Sequence, residues 1–461
     1  MFLNILISAE NLLLTLFGIS IAVSGGYMTA YLRFFPQKKL FYSLRRFFAG
    51  AAGSDKGKRL STEKGISSFS ASAAALAGTL GTGNIAGVAA ALTSGGPGAV
   101  FWMWCSAILG MSLKYAEILL SVHFSKDREG GPMYYISRAF GREKLSWVFA
   151  VGCIGASFGV GNLAQVNAAA DSIESAFGLP QLITGGLIAC CAGIVMMGGK
   201  KRIAAASARL VPLMGGIYLV GAALVILPRL HLLPQLFELI VSDAFTPRSA
   251  FGGIIGVMTS RAFRSGITRG VFTNEAGLGS APIIHAASDE GNPAEEGLWG
   301  VAEVALDTLV MCTMTAAVIL LTVGLDSGLD GAELTLAAFS DVFGKGAAGF
   351  LGIATLMFAF SSLLTWSWCG ESALRYLGGG KMGLFVYRAL FLGAAVFGGI
   401  IPVQTVLAIS DLLNFYMCLP NLLAIFRLKK IVLQESDKIS LHTGKLYSER
   451  ASSCPFIQSN K

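Results

Sequence analysis

Ala77-Gly78-Thr79-Leu80-Gly81-Thr82-Gly83-Asn84-Ile85-Ala86-Gly87 sets four glycines and three polar side chains inside a stretch that is otherwise apolar and alanine-rich, as Ser70 to Ala75 shows. Each glycine costs a helix about 1 kcal/mol relative to alanine, so the helix favoured by the flanks is expected to open here. Backbone groups freed inside hydrocarbon need partners other than lipid. Close helix packing would explain glycines alone, but not Thr79, Thr82 and Asn84 beside them. N–H groups near Thr82 and Gly83, at the start of the second half-helix, suit an anion such as a carboxylate. Carbonyls near Ala77 and Leu80, at the end of the first, suit a sodium ion.

The surroundings make hydrocarbon the right solvent. The 461 residues are 54% hydrophobic and 13% charged, with a mean hydropathy of +0.65, whereas a soluble chain carries about a quarter charged residues. Stretches near the roughly 20 residues that cross a bilayer fall at about 11–32, 66–92, 98–122, 145–172, 178–197, 206–227, 251–286, 297–323, 346–370, 382–400 and 404–427. About eleven transmembrane helices are expected. The N-terminal stretch has Glu10 where a signal peptide carries positive charge, so it reads as a retained helix.

The formal charge of +8 resides in short gaps between spans, which points to membrane topology and away from nucleic acid. Residues 33–64 carry Lys38, Lys39, Arg45, Arg46, Lys56, Lys58 and Arg59 against Asp55 and Glu63, which predicts a cytoplasmic loop and an N-terminus outside. Alternation then places Lys200, Lys201, Arg202 and the run Arg427 to Lys430 inside, and the acidic gap from Asp326 to Asp341 outside. The gap with Asp289, Glu290, Glu295 and Glu296 is acidic on the predicted cytoplasmic side and fits the rule poorly.

Setting the first span aside leaves ten, five plus five, entering the membrane from opposite sides. That is the arithmetic of an inverted repeat. The expected division is an extra helix and basic loop over 1–65, repeats over 66–230 and 231–430, and a disordered cytoplasmic tail over 431–461. The first helix of the second half is also interrupted, in Gly270-Val271-Phe272-Thr273-Asn274-Glu275-Ala276-Gly277-Leu278-Gly279-Ser280-Ala281-Pro282. Glu275 would cost about 2.5 to 3.5 kcal/mol facing lipid, so it faces protein or water. An ion pair with Arg261, Arg264 or Arg269 and a role toward substrate both remain open for it.

Four segments in order, Gly81 to Gly87, Gly95-Gly96-Pro97-Gly98-Ala99, Gly130-Gly131-Pro132-Met133-Tyr134-Tyr135 and Thr273 to Pro282, resemble the signatures of the alanine or glycine:cation symporter family. The resemblance runs from about residue 11 to residue 428. It implies a LeuT-type 5+5 core preceded by one extra helix, and sodium-coupled uptake of alanine or glycine. By position it implies that Thr82 and Gly83 bind the substrate carboxylate through N–H groups while Gly78, Thr79 and Asn84 line the same break. Thr273, Asn274 and Gly277 would take the amino group or close the pocket from the other side.

Other spans add polar groups. Asn162 and Gln165 lie three apart on one helix face; they suit a zwitterion or an interhelical amide contact, and the resemblance favours Gln165 as a substrate ligand. Ser361, Ser362 and Thr365 make span 346–370 unusually rich in hydroxyls. With Ala77 and Leu80 carbonyls, Ser361 and Ser362 would complete the sodium site the resemblance implies, unless the hydroxyls bond their own helix. Trp366 would wall the pocket or simply pack. Glu303 with Asp307, and Lys114 with Glu117, lie near the predicted cytoplasmic end and read as snorkelling or structural pairs, with gating contacts as the alternative.

Scattered histidines and the absence of C-x-x-C spacing leave little for a metal site, and neither a nucleophile with a base nor H-E-x-x-H is present. No enzyme and no cofactor are expected, and sodium is the coupling ion. The expected function is a symporter for a small neutral amino acid. A proton-coupled carrier, a channel and a transporter-like sensor are the alternatives.

Overall fold

The computed structural model describes residues 2–53, 65–141, 143–245, 260–401 and 403–452. Among them the chain is helical, with only two isolated β-bridges. Helix α1 is Phe2–Tyr31 and α2 is Leu40–Ala51. The first broken helix is α3, Ser68–Thr79, followed by α4, Ala86–Gly95; next come α5, Gly98–His123, and the short α6, Pro132–Phe140. Helix α7 covers Glu143–Phe177 with a wider π turn at Gly159–Leu163. Helices α8, Gln181–Met196, and α9, Gly199–Ile226, follow, and then α10, Leu233–Ala244.

The second broken helix is α11, Arg261–Asn274, with α12, Ala281–His285. Helix α13 is Pro293–Leu321 with a π segment at Ala305–Cys312. Then follow α14, Gly331–Phe343, α15, Gly346–Tyr376, α16, Lys381–Phe397, and α17, Val403–Ser452.

Six described helices, or joined helix runs, are long and apolar enough to cross a membrane unaided, and Leu16–Tyr31, α4 and α8 are shorter apolar helices. The two broken crossings escape a length criterion because each is divided between two short pieces. Exposed Val151, Leu187, Leu213, Val220, Phe385 and Leu390 leave an apolar exterior, as a lipid-facing belt requires and a water-facing surface avoids.

Corresponding helices of the two halves pack together: α5 on α13, α7 on α15, and α8 on α16. Helix α4 lies along α11 while α3 lies along α12, so the broken helices run antiparallel, as halves of opposite orientation require. Both start from a serine cap. Ser67 accepts the Ser70 N–H at 3.2 Å, and Ser260 accepts the Phe263 N–H at the same distance, satisfying donors that a helix start leaves free.

Two expectations change. From Ile431 to Ser452 the tail is not irregular: α17 continues through it as helix, with Val432, Ser436 and Ile439 buried, and the rest of the expected tail, 453–461, lies outside the described residues. Tyr115 on α5 and Ser436 bond each other at 2.8 Å, a contact that composition alone hid. The acidic gap after α12 also finds its charges matched. Arg46 on α2 holds Glu290 at 2.8 Å and Glu295 at 2.7 Å, and Arg128 pairs with Asp289. The misfit loop therefore lies on the same end of the bundle as α2, hereafter the basic end. Lys56, Lys58 and Arg59 fall outside the described residues.

Candidate substrate and cation site

The first break opens where the glycines predict. Leu80 leaves helical geometry, Gly81 is extended, Thr82–Asn84 forms one tight turn, and α4 begins at Ala86. Asn84 holds the turn in shape: its Oδ1 accepts the Gly81 N–H at 3.1 Å. Its Nδ2 donates to Asp307 Oδ1 on α13 at 2.7 Å. Asp307 also accepts from Thr308 at 2.8 Å and is fully buried.

Two further helices close on the break. Gln165 Oε1 on α7 accepts the Thr82 N–H at 3.2 Å, while Gln165 Nε2 donates to Val160 O at 3.1 Å. Ser362 Oγ on α15 lies 3.0 Å from Ala77 O and 3.3 Å from Leu80 O. Ser361 Oγ is 3.4 Å from Ala77 O but 2.9 Å from Phe358 O of its own helix. Two carbonyls and two hydroxyls thus converge from α3 and α15, an oxygen set suited to a hard cation, with Ser362 nearer the break than Ser361. Gly81 faces both partners: a Cβ there would stand 3.1 Å from Gln165 Oε1 and 3.1 Å from Ser362 Oγ.

The second break has a different support. Glu275 stands at φ +52 and Gly277 and Gly279 at +85 and +90, a left-handed region that glycine enters freely and other residues seldom do. Asn274 Oδ1 accepts the Ala276 N–H at 3.0 Å. Lys114 Nζ donates to Asn274 O, the end of α11, at 3.0 Å. Glu117, one turn along α5, faces the Gly277 N–H and accepts from Asn421 at 2.8 Å. A cation therefore caps the end of one half-helix and an anion meets the approach to the other, as helix dipoles prefer.

Several site residues expected from sequence settle away from one another. Thr365 donates to Ala74 O at 2.8 Å, one turn below the break, and its methyl packs where a Gly78 side chain would be. Gly78 and Thr365 thus form a packing contact. Thr79 bonds Leu76 O of its own helix at 3.1 Å. Trp366 packs on Gly161 and reaches Glu275, so it braces the second break. Gly277 turns toward Leu113 and Leu422. Thr273 stays close: its methyl would lie 3.5 Å from a Cβ at Gly83, and its hydroxyl is 3.4 Å from Thr308 Oγ1, as is Asn274 Nδ2.

Asn162 and Gln165 separate despite their spacing, because the π turn at 159–163 alters the register: Asn162 Nδ2 donates to Phe391 O on α16 at 2.7 Å. Arg261, Arg264 and Arg269 are exposed and are not the partners of Glu275. It accepts a bond from Ser280, with Trp366 beside it, and Lys114 supplies the nearby positive charge. Asp307 and Lys114, expected near a membrane end, stand at the level of the breaks. The signal for Asp307 was present: it lies 10 residues into span 297–323, about half the bilayer at 1.5 Å per residue.

Comparison with known proteins places this arrangement. Residues 2–446 match the sodium:alanine symporter family. The chain belongs to that family. An uncharacterised transporter of Haemophilus influenzae is 40% identical over 379 residues, covering 80% of this chain and 83% of that protein. The sodium/alanine symporter AgcS of Methanococcus maripaludis is 38% identical over 427 residues, 90% and 91% of the two chains. The amino-acid carrier protein AlsT of Bacillus subtilis is 36% identical over 380 residues, 81% and 80%. Among solved structures, MhsT in complex with L-phenylalanine aligns with a TM-score of 0.56 at 14% identity, covering 81% of this chain and 92% of that one. A manganese transporter of Eremococcus coleocola aligns at 0.53 and 14%, covering 81% and 82%. Those two likenesses speak to fold alone, and the fold is LeuT-type. This member of the symporter family is a membrane carrier coupling amino-acid movement to a cation, and not an enzyme.

Proposed function

We propose that the chain imports a small neutral amino acid, alanine or glycine, with sodium as the coupling ion. The observation that carries the reading is the meeting of Ser362 with the Ala77 and Leu80 carbonyls, one turn from the Thr82 N–H that Gln165 accepts. An amino-acid carboxylate is suited to the Thr82 and Gly83 amides at the start of the turn, with Gln165 Nε2 able to swing to it. Asp307, linked to Asn84 and beside Thr308 and Thr273, offers the negative charge that offsets a bound cation or ammonium group. The relative named a sodium/alanine symporter agrees with this substrate class.

The basic end is taken as cytoplasmic, by the distribution of Lys and Arg. Residues 71–80 and 273–288, the parts of the broken helices toward that end, are buried throughout, whereas Thr82, Gly83, Ala86 and Gly87 are partly exposed. In this assignment the structure is closed inward with its outer half accessible, one state of alternating access in which the broken-helix bundle moves against α7 and α15. The repeats are assigned to 66–230 and 231–430.

Proton coupling is the second reading, favoured by a Bacillus subtilis relative, 35% identical, whose name describes a putative sodium/proton-dependent alanine carrier. Uptake of labelled alanine into proteoliposomes at fixed pH separates the two. A sodium gradient should drive accumulation, and flux indifferent to sodium would sink the sodium assignment.

A further inference from the structure

His285, the last residue of α12, is flanked on both ring nitrogens by carboxylates. Nδ1 lies 2.7 Å from Glu296 Oε1 and Nε2 lies 2.8 Å from Glu303 Oε1, and the three side chains are at most 1% exposed. Glu296 and Glu303 are seven residues apart on α13 and so share a face. Ser72 on α3 donates to the same Glu303 Oε1 at 2.8 Å. One carboxylate oxygen therefore receives a bond from the basic-end half of each broken helix.

These contacts fix a proton count. Each nitrogen–oxygen contact of hydrogen-bond length needs a hydrogen between its atoms, and neutral imidazole has only one. Two contacts require a second proton, on the ring or on a carboxyl. Without it, a nitrogen lone pair faces a carboxylate oxygen and one arm is lost. Glu296 Oε2 and Glu303 Oε2 are buried and have no hydrogen-bond partner among the described residues, so no donor there replaces the missing proton.

Neighbouring ionisable groups are committed elsewhere. Helix α3 has none. On α5, Lys114 is bound to Asn274 O and Glu117 to Asn421. Cys369 on α15 faces Ser280 O, Arg46 on α2 holds Glu290 and Glu295, Glu435 on α17 pairs with Lys438, and Asp307 on α13 is bound to Asn84.

We propose that His285, Glu296 and Glu303 form a buried proton site that works as a clasp: while loaded it ties α3 and α12 to α13, and loss of its proton frees the basic end to open. The consequence for transport rests on the alternating-access reading above; the clasp itself does not. Low pH keeps the clasp shut, and high pH releases it.

Hydrogen exchange of the full chain in lipid nanodiscs tests this, with rates corrected for the intrinsic effect of pH and read on peptides covering Ser68–Thr79 and Ala281–His285. In the unaltered chain, corrected exchange should rise about tenfold between about pH 6 and about pH 9. Glu296→Gln lets neutral His285 accept from the amide and still donate to Glu303, so the rise should shrink to less than about twofold. His285→Gln, folded by gel filtration, should be equally flat and serves if the first variant does not fold. A flat profile in the unaltered chain, or the same slope in a folded variant, overturns the clasp. Alanine uptake by the same purified protein in proteoliposomes separates the two readings. Sodium-independent flux with the pH step intact overturns the sodium assignment alone, and sodium-driven uptake without the step overturns the clasp alone.

Discussion

Asn84 joins the two sides of the first break: through its oxygen it fixes the Gly81 amide, and through its nitrogen it holds the Asp307 carboxylate at 2.7 Å. Asn84→Ala removes both bonds and leaves a buried carboxylate short of a donor, at about 1 to 3 kcal/mol. Asp307→Asn keeps the volume but removes the charge. Sodium-driven uptake should fall at least about tenfold in Asp307→Asn while the protein stays monodisperse. Uptake equal to that of the unaltered chain would remove Asp307 from the site.

Ser362 and Ser361 should behave differently although they are neighbours. Ser362 reaches both broken-helix carbonyls, whereas Ser361 is nearest a carbonyl of its own helix. Ser362→Ala should raise the sodium concentration for half-maximal uptake about tenfold, some 1.4 kcal/mol. Ser361→Ala should shift it by less than about threefold. The reverse order would move the cation to another position.

Gly81 is extended, a backbone conformation any residue adopts, so Gly81→Ala probes space alone. Its methyl would press on Gln165 and Ser362 at 3.1 Å each. Uptake should drop at least about tenfold with the melting temperature changed by only a few degrees. Wild-type uptake in Gly81→Ala would mean that Gln165 and Ser362 do not need their present positions.

Lys114→Met keeps the length of the side chain and removes its charge. It leaves Asn274 O without its donor and Glu117 and Glu275 without the positive charge nearby. Removing one partner from a buried charge cluster costs about 3 to 5 kcal/mol. Thermal denaturation in detergent should show Lys114→Met well below the unaltered chain, and an unchanged midpoint would refute the capping role.

Much of this was legible in the chain. Glycine and polar residues inside apolar spans located both breaks, whereas the approach of Ser362 to the Ala77 and Leu80 carbonyls was legible only through the family likeness. What could not be read were the effects of register and partner choice. A π turn separated Asn162 from Gln165, and nothing in a one-dimensional pattern announces such a turn. Thr365 and Trp366 sit on the expected helix, but their side chains went to Ala74 and Glu275. The acidic loop after α12 looked misplaced until Arg46 and Arg128 stood beside it, because sequence counts charges and only the fold pairs them.

Lys114 and Ser121 come from a single unbroken rod, helix α5, and between them they hold both sides of the second gap, Lys114 at Asn274 O and Ser121 at Pro282 O. The spacing of that gap is thereby set by two turns of another helix, like two bolts through the same beam. The first gap has no such common mount, since its contacts come from α7, α13 and α15 separately. Flexure is therefore unequal: α11 and α12 must tilt as one lever, and the angle between α3 and α4 is the joint left free to bend.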